Sequence, residues 1–261
     1  MSRPRRLLLV VVVLCACLPA AAAATPVVQL TAAFAPGARL GAGAALRIGL
    51  RIDPRQPSAV TEIHLWYPAS LGIATSGLGL ATCRHAVLEA HGPAACPPNS
   101  VMGYGFARVE ARPFGIRESA RLTLLAGSER NGHLDLLVYA DGEQPASVQM
   151  IDPGQLRPAP PPYGGDLAVQ LLPIPGLDEI TIALLHINFS LGARDITYYD
   201  YSRHKPIAYH PDGIALPGRC PRGGFPFHAD LSFADLSHNT ANATVRCPPA
   251  SKAAPGRAIH R

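Results

Sequence analysis

The chain has 261 residues, of which 23 are basic and 18 acidic, with 27 prolines and 24 glycines spread along its length. Its formal charge of +5 leans on Arg3, Arg5 and Arg6; without them 20 basic residues face 18 acidic ones, a net +2. A balance that close to zero gives no electrostatic footprint for nucleic acid, and so much proline and glycine suits many turns and few long helices.

The three arginines lead into an apolar run from Leu7 to Leu18 and a small-residue stretch from Ala20 to Ala24. A basic start, a short apolar core and an Ala-x-Ala site make residues 1–24 a secretory signal peptide, cleaved after Ala22 or Ala24. The run is shorter than the roughly 20 residues of a membrane-crossing helix. The mature chain is therefore expected to have no transmembrane span and to work extracellularly or in the cell envelope. Leu14-Cys15-Ala16-Cys17 offers an alternative, because it resembles a lipobox in which Cys17 would be lipidated and hold the chain to the membrane. Arg5–Arg6 resembles a twin-arginine signal, but Pro4 departs from that pattern.

Period-two alternation dominates the rest. Leu46, Ile48, Leu50 and Ile52 share a face, with Arg47 and Arg51 opposite. The same pattern recurs over Ala120–Leu124, His133–Val138, Ala146–Met150 and Phe227–Phe233, one buried and one wet face each. Further strands are expected near 27–34, 60–67, 103–110, 166–172, 180–191, 195–201 and 242–247. Roughly ten to twelve short strands separated by turns predict an all-β fold, an antiparallel β-sandwich. One short helix is expected near 83–91, capped by Thr82 and ended by Gly92 and Pro93. The domain spans 25–250, with a proline-rich stretch over 157–165 that could divide it into two halves. Residues 251–261 have almost nothing to bury and are expected to be disordered.

Beyond the signal stand Cys83, Cys96, Cys220 and Cys247. An even number in an exported chain reads as two disulfides. Of the three pairings, the local one, Cys83–Cys96 and Cys220–Cys247, is preferred because each bridge then staples a loop or neighbouring strands. No Cys-x-x-Cys pair exists to suggest structural zinc.

At these landmarks a resemblance emerges. Cys96-Pro97-Pro98-Asn99-Ser100-Val101-Met102-Gly103-Tyr104-Gly105 and Cys220-Pro221-Arg222-Gly223-Gly224-Phe225-Pro226-Phe227 resemble a family of uncharacterised secreted β-rich proteins of high-GC bacteria, over most of residues 40–248. The resemblance implies a secreted β domain whose cysteines and glycines are architectural, and it implies no chemistry. Gly103 and Gly105 would sit where a strand leaves a tight turn, and Gly223–Gly224 would supply positive φ angles before the Phe227 strand.

No Gly-x-Ser-x-Gly elbow, phosphate-cradling glycine loop or His-Glu-x-x-His helix is present. The main polar feature is a repeated alternation of histidine and acid: Glu62 with His64, His133 with Asp135, and His228 with Asp230. Were those faces to meet on adjacent strands they could bind zinc or another divalent ion; otherwise each is a solvated stripe. His204, His210 and Asp212 form a weaker cluster. Asp178, Glu179, Asp195 and Asp200 could in principle supply a glycosidase pair, and Tyr198, Tyr199 and Tyr201 a sugar platform. Asn188 and Asn242 open two glycosylation sequons. The leading expectation is a non-enzymatic, disulfide-stabilised structural or interaction module needing no cofactor, with a cell-wall or extracellular protein or glycan as partner. The alternative is a secreted metal- or carbohydrate-dependent hydrolase.

Overall fold

The structure, a computed structural model, describes residues 27–73, 76–130, 132–142, 147–174, 180–192, 195–200 and 205–250. The signal segment with Cys17, and the tail over 251–261, lie outside the described residues. Strands β1 (Val28–Phe34), β2 (Gly43–Ala44), β3 (Leu46–Ile52) and β4 (Val60–Pro68) precede helix α1 (His85–His91). Then come β5 (Val101–Arg112), β6 (Ile116–Arg130), β7 (His133–Gly142), β8 (Val148–Arg157), β9 (Tyr163–Gln170) and β10 (Thr181–Leu191). The chain ends with β11 (Tyr198–Asp200), β12 (Ile207–Tyr209), β13 (Ile214–Ala215), β14 (Phe225–Phe233) and β15 (His238–Val245).

Eleven strands form one antiparallel sheet in the order β1-β3-β10-β5-β6-β7-β8-β9-β4-β14-β15, while β11 pairs with β12 and β13 with β2. The expected all-β antiparallel architecture with one short helix is what forms. Its two layers are a single sheet that curls until the outer strands β1 and β15 pack together. Leu40 N–H donates to Pro249 O at 3.1 Å beside that seam, and Leu40 bridges to Ala250. Near-closure leaves few unpaired strand edges exposed to other chains.

The alternation decides which face turns inward. On β14, Phe225, Phe227, Ala229, Leu231 and Phe233 are all buried, and the residues between them are half-exposed. Ile63, Leu65 and Tyr67 of β4 and Leu122 and Leu124 of β6 join the same interior. Fully burying a side chain of this kind stabilises the fold by about 1.5–3 kcal/mol. The β4–β5 connection folds Leu71, Ile73 and Leu78 across one end of the barrel, where they pack into the core with Met102.

A second, smaller core lies outside the sheet. Leu88 of α1 is buried with Cys83, Cys96, Leu125, Leu137 and Tyr139, so the helix covers the outer face of β6 and β7. The bridges are Cys83–Cys96 and Cys220–Cys247, as preferred from the sequence. The helix begins later than expected: Arg84, not Thr82, occupies the N-cap and makes no side-chain cap bond. Cys83 is held out of the helix because its N–H donates to Ala126 O of β6 at 2.8 Å and its sulfur is bridged. The helix ends where expected, with Gly92 at φ 70° donating to Leu88 O.

The glycines serve two different ends. Gly223 and Gly224 have φ of 83° and 92°, as the turn before β14 requires. Gly103 and Gly105 lie within β5, where a Cβ would strike the backbone of Ser190 and Asn188 on β10, so close approach of strands demands them. The Cys-Pro-Pro-Asn-Ser motif anchors the closed end. Asn99 exchanges two 2.8 Å hydrogen bonds with the backbone of Tyr199, and the buried Ser100 hydroxyl donates to Pro97 O.

Candidate binding cavity

Curling the sheet leaves space inside. A cavity of about 510 Å³ lies between the inner faces of β3–β10 and β4–β9, lined by residues such as Leu50, Leu65, Ala140, Met150, Leu167 and Ile187. That volume falls within the range of about 300–1,000 Å³ found for small-molecule sites. The lining reaches Ala59, Leu172, Pro173, Ile174, Ile180 and Ala234, all at the end carrying the β3–β4, β9–β10 and β14–β15 connections. Among the described residues the opposite end is the one filled, by Leu71, Ile73 and Leu78, which gives the barrel the form of a cup. Phe114, Ile116, Leu172 and Leu236 stand exposed at the connections of the open end, Leu236 at 87 %.

Two ionisable side chains share this wall, Glu118 of β6 and Asp152 of β8. Burial pushes the Glu118 carboxyl above its usual value. Burial pushes Asp152 up to about 6, with the hydrogen bond from Leu172 N–H acting weakly the other way. That bond is 2.9 Å to Oδ1, at the point where the β9 chain leaves β8. Neither acid was singled out from the sequence, although the signal was there. Glu118 is in phase with Ala120, Leu122 and Leu124, and Asp152 with Val148 and Met150, so both fall on apolar faces.

The polar residues that were singled out lie on the outer face. Two of the three histidine–acid pairs do meet, because β4 and β14 are neighbours and Asp230 pairs with His64, His228 with Trp66. His64 is held between two carboxylates, Asp166 at 2.8 Å on Nδ1 and Glu62 at 3.2 Å on Nε2. His228 stacks on Trp66 at 4.7 Å and shares Nδ1 with Asn242 Oδ1 at 2.7 Å. His133 and Asp135 lie on β7, three strands from His64 along the same row, roughly 14 Å away. Asp135 takes a bond from Gln155. Among the described residues, no group of three or more His, Cys, Asp or Glu is disposed to hold a metal ion.

Nor does this face assemble an acid–base–nucleophile relay. Asp230, His238 and Ser232 are close, but the acid at 3.8 Å and the hydroxyl at 3.3 Å both address Nδ1 of His238. A relay needs them on opposite ring nitrogens. Asp166 Oδ1 and Asp230 Oδ1 are buried without hydrogen-bond partners.

The other candidates separate. Tyr198 is no sugar platform: it is fully buried, donating to Val101 O at 2.6 Å and accepting from Gly79 N–H at 2.8 Å. Tyr201, His204, Asp178 and Glu179 lie outside the described residues. His210 Nδ1 is bonded to Ile196 O at 2.8 Å, which ties that loop down; Asp195 precedes β11, Asp200 ends it, and Asp212 is exposed. No helix among the described residues is long and apolar enough to cross a membrane. Comparison of the chain with protein-family models, with curated proteins and with solved structures finds no match.

Proposed function

We propose that this is an exported, non-enzymatic binding protein whose barrel holds an apolar small molecule, such as a molecule with an alkyl chain. The observation that carries the reading is the cavity of about 510 Å³, walled by aliphatic side chains and closed at one end. An apolar interior of that size is poorly hydrated and gains from any alkyl group that fills it. The exposed apolar side chains at the open end suit a ligand that arrives from an apolar phase. The signal-like residues 1–24 and the two disulfides support work outside the cytoplasm, in agreement with the resemblance to secreted β-rich proteins.

This reading gives the expected interaction role a definite place, the inner wall of the barrel. The hydrolase alternative draws no comparable support, because His64 is held by Glu62 and Asp166 and His228 by Asn242 and Trp66.

Binding of a neutral apolar dye such as Nile red tests the proposal. The disulfide-intact protein should bind it saturably, and Ala140→Phe, which projects a ring into the cavity, should abolish binding while leaving the thermal transition in place. A series of primary alcohols should displace the dye with affinity rising about fourfold per methylene, from about 0.8 kcal/mol each, until the chain fills the cup. Absence of dye binding, or binding untouched by Ala140→Phe, would refute it.

A further inference from the structure

The ionisable residues on the cavity wall are all acids. Among the described residues the polar ones are Thr61, Glu118, Asp152 and Thr181, with no lysine, arginine or histidine. The nearby arginines are engaged elsewhere: Arg55 holds Asp53, while Arg112 and Arg117 both hold Glu110. Arg112 also donates to the backbone oxygens of Pro54 and Gln56.

One of the two wall carboxylates has an oxygen buried without a donor. Glu118 Oε1 is withdrawn from solvent and has no hydrogen-bond partner. Gly142 packs against that oxygen, and a Cβ there would collide with it, so the glycine leaves the space the carboxylate occupies. Asp152 is only 4 % exposed, and its Oδ1 accepts from Leu172 N–H at 2.9 Å. The two acids stand apart, since Gly142 pairs with Val148 and Asp152 follows four residues along β8, roughly 13 Å.

A buried carboxylate oxygen without a donor is unfavourable, and a ligand that donates to it removes the penalty. A ligand carboxylate does the opposite: it brings a like charge to a wall with no counter-ion. Resting on the carrier reading, we propose that the ligand is a donor-headed amphiphile, an alkyl chain ending in a hydroxyl, amide or ammonium group held by Glu118 or Asp152, and that the matching carboxylate is rejected.

Displacement of Nile red by dodecanol, dodecylamine and dodecanoate at pH 8 tests this, with the chain length held constant and each probe below its micelle threshold. Dodecanol and dodecylamine should bind about tenfold to a hundredfold more tightly than dodecanoate. The doubly neutralised variant Glu118→Gln, Asp152→Asn should lose most of that gap, chiefly because dodecanoate improves. Dodecanoate binding as tightly as dodecanol, or a gap unchanged in the variant, would overturn the proposal while leaving the carrier reading intact. If none of the three displaces the dye, or no dye binds, the carrier reading itself fails and this proposal with it.

Discussion

Asp152 sits on the barrel wall with its carboxyl held up near 6, against 3.8 when free, and desolvation is the main cause. Between those two values the folded protein binds more protons than the unfolded chain. The folded state is therefore favoured below about pH 4 and progressively penalised as pH rises through 6, by about 3 kcal/mol in full. Asp152→Asn is nearly isosteric, keeps an oxygen to accept from Leu172 N–H, and stays neutral at every pH. At pH 4.5 it should exceed the parent by about 1 kcal/mol, and at pH 8 by about 3 kcal/mol. Urea denaturation of both proteins, disulfides intact, at half-unit steps from pH 4.5 to 8 measures the difference curve. Comparing the two proteins removes the opposing contributions of Asp53, drawn down to about 2 by Arg55, and of Glu110 and Asp235, also drawn down by their donors. A difference that stays flat across this window, or a variant less stable at pH 8, would refute the argument that Asp152 is a desolvated acid.

Leu231→Ala removes a fully buried side chain from β14 and should lower stability by about 2–5 kcal/mol in the same assay. Tyr198→Phe strands Gly79 N–H and Val101 O at the closed end, a loss of about 1–3 kcal/mol, with little effect on dye binding at the open end. Peptide mapping without reduction should recover one fragment joining Cys83 to Cys96 and another joining Cys220 to Cys247; a Cys83–Cys220 fragment would contradict the fold.

Much of the fold was legible because one face of each strand is buried. The alternations at Leu46–Ile52 and Phe227–Phe233 place β3 and β14 to within two residues. The alternation over Ala146–Met150 reaches only the start of β8, which runs on through Pro153 and Gly154 to Arg157. Pro153 is paired on one side only, with Leu137 of β7, because the β9 ladder begins at Gly154. Closure was not legible either: whether a sheet lies flat, doubles into a sandwich or curls depends on the packing of β1 against β15, far apart in sequence. The cavity follows from closure, and so do the roles of Glu118 and Asp152. An acid in phase with aliphatic neighbours is the stronger sequence signal for a site, because it falls on a face where charge is expensive. The histidine–acid stripes drew attention instead, and they sit on the outer face, where polar residues are expected.

Beyond the initiator the chain has two methionines, and they report on different depths of the barrel. Met150 lines the main cavity, and Met102 lines the small pocket of about 20 Å³ near the closed end. Carbon-13 labelling of both methyl groups and titration with dodecanol locates the ligand directly. A saturable shift of the Met150 methyl, larger than that of Met102, with the outer-face Trp66 indole signal unmoved, is the expected result. Methyl signals that stay fixed while the Trp66 signal moves would place binding on the outer face and contradict a ligand inside the barrel.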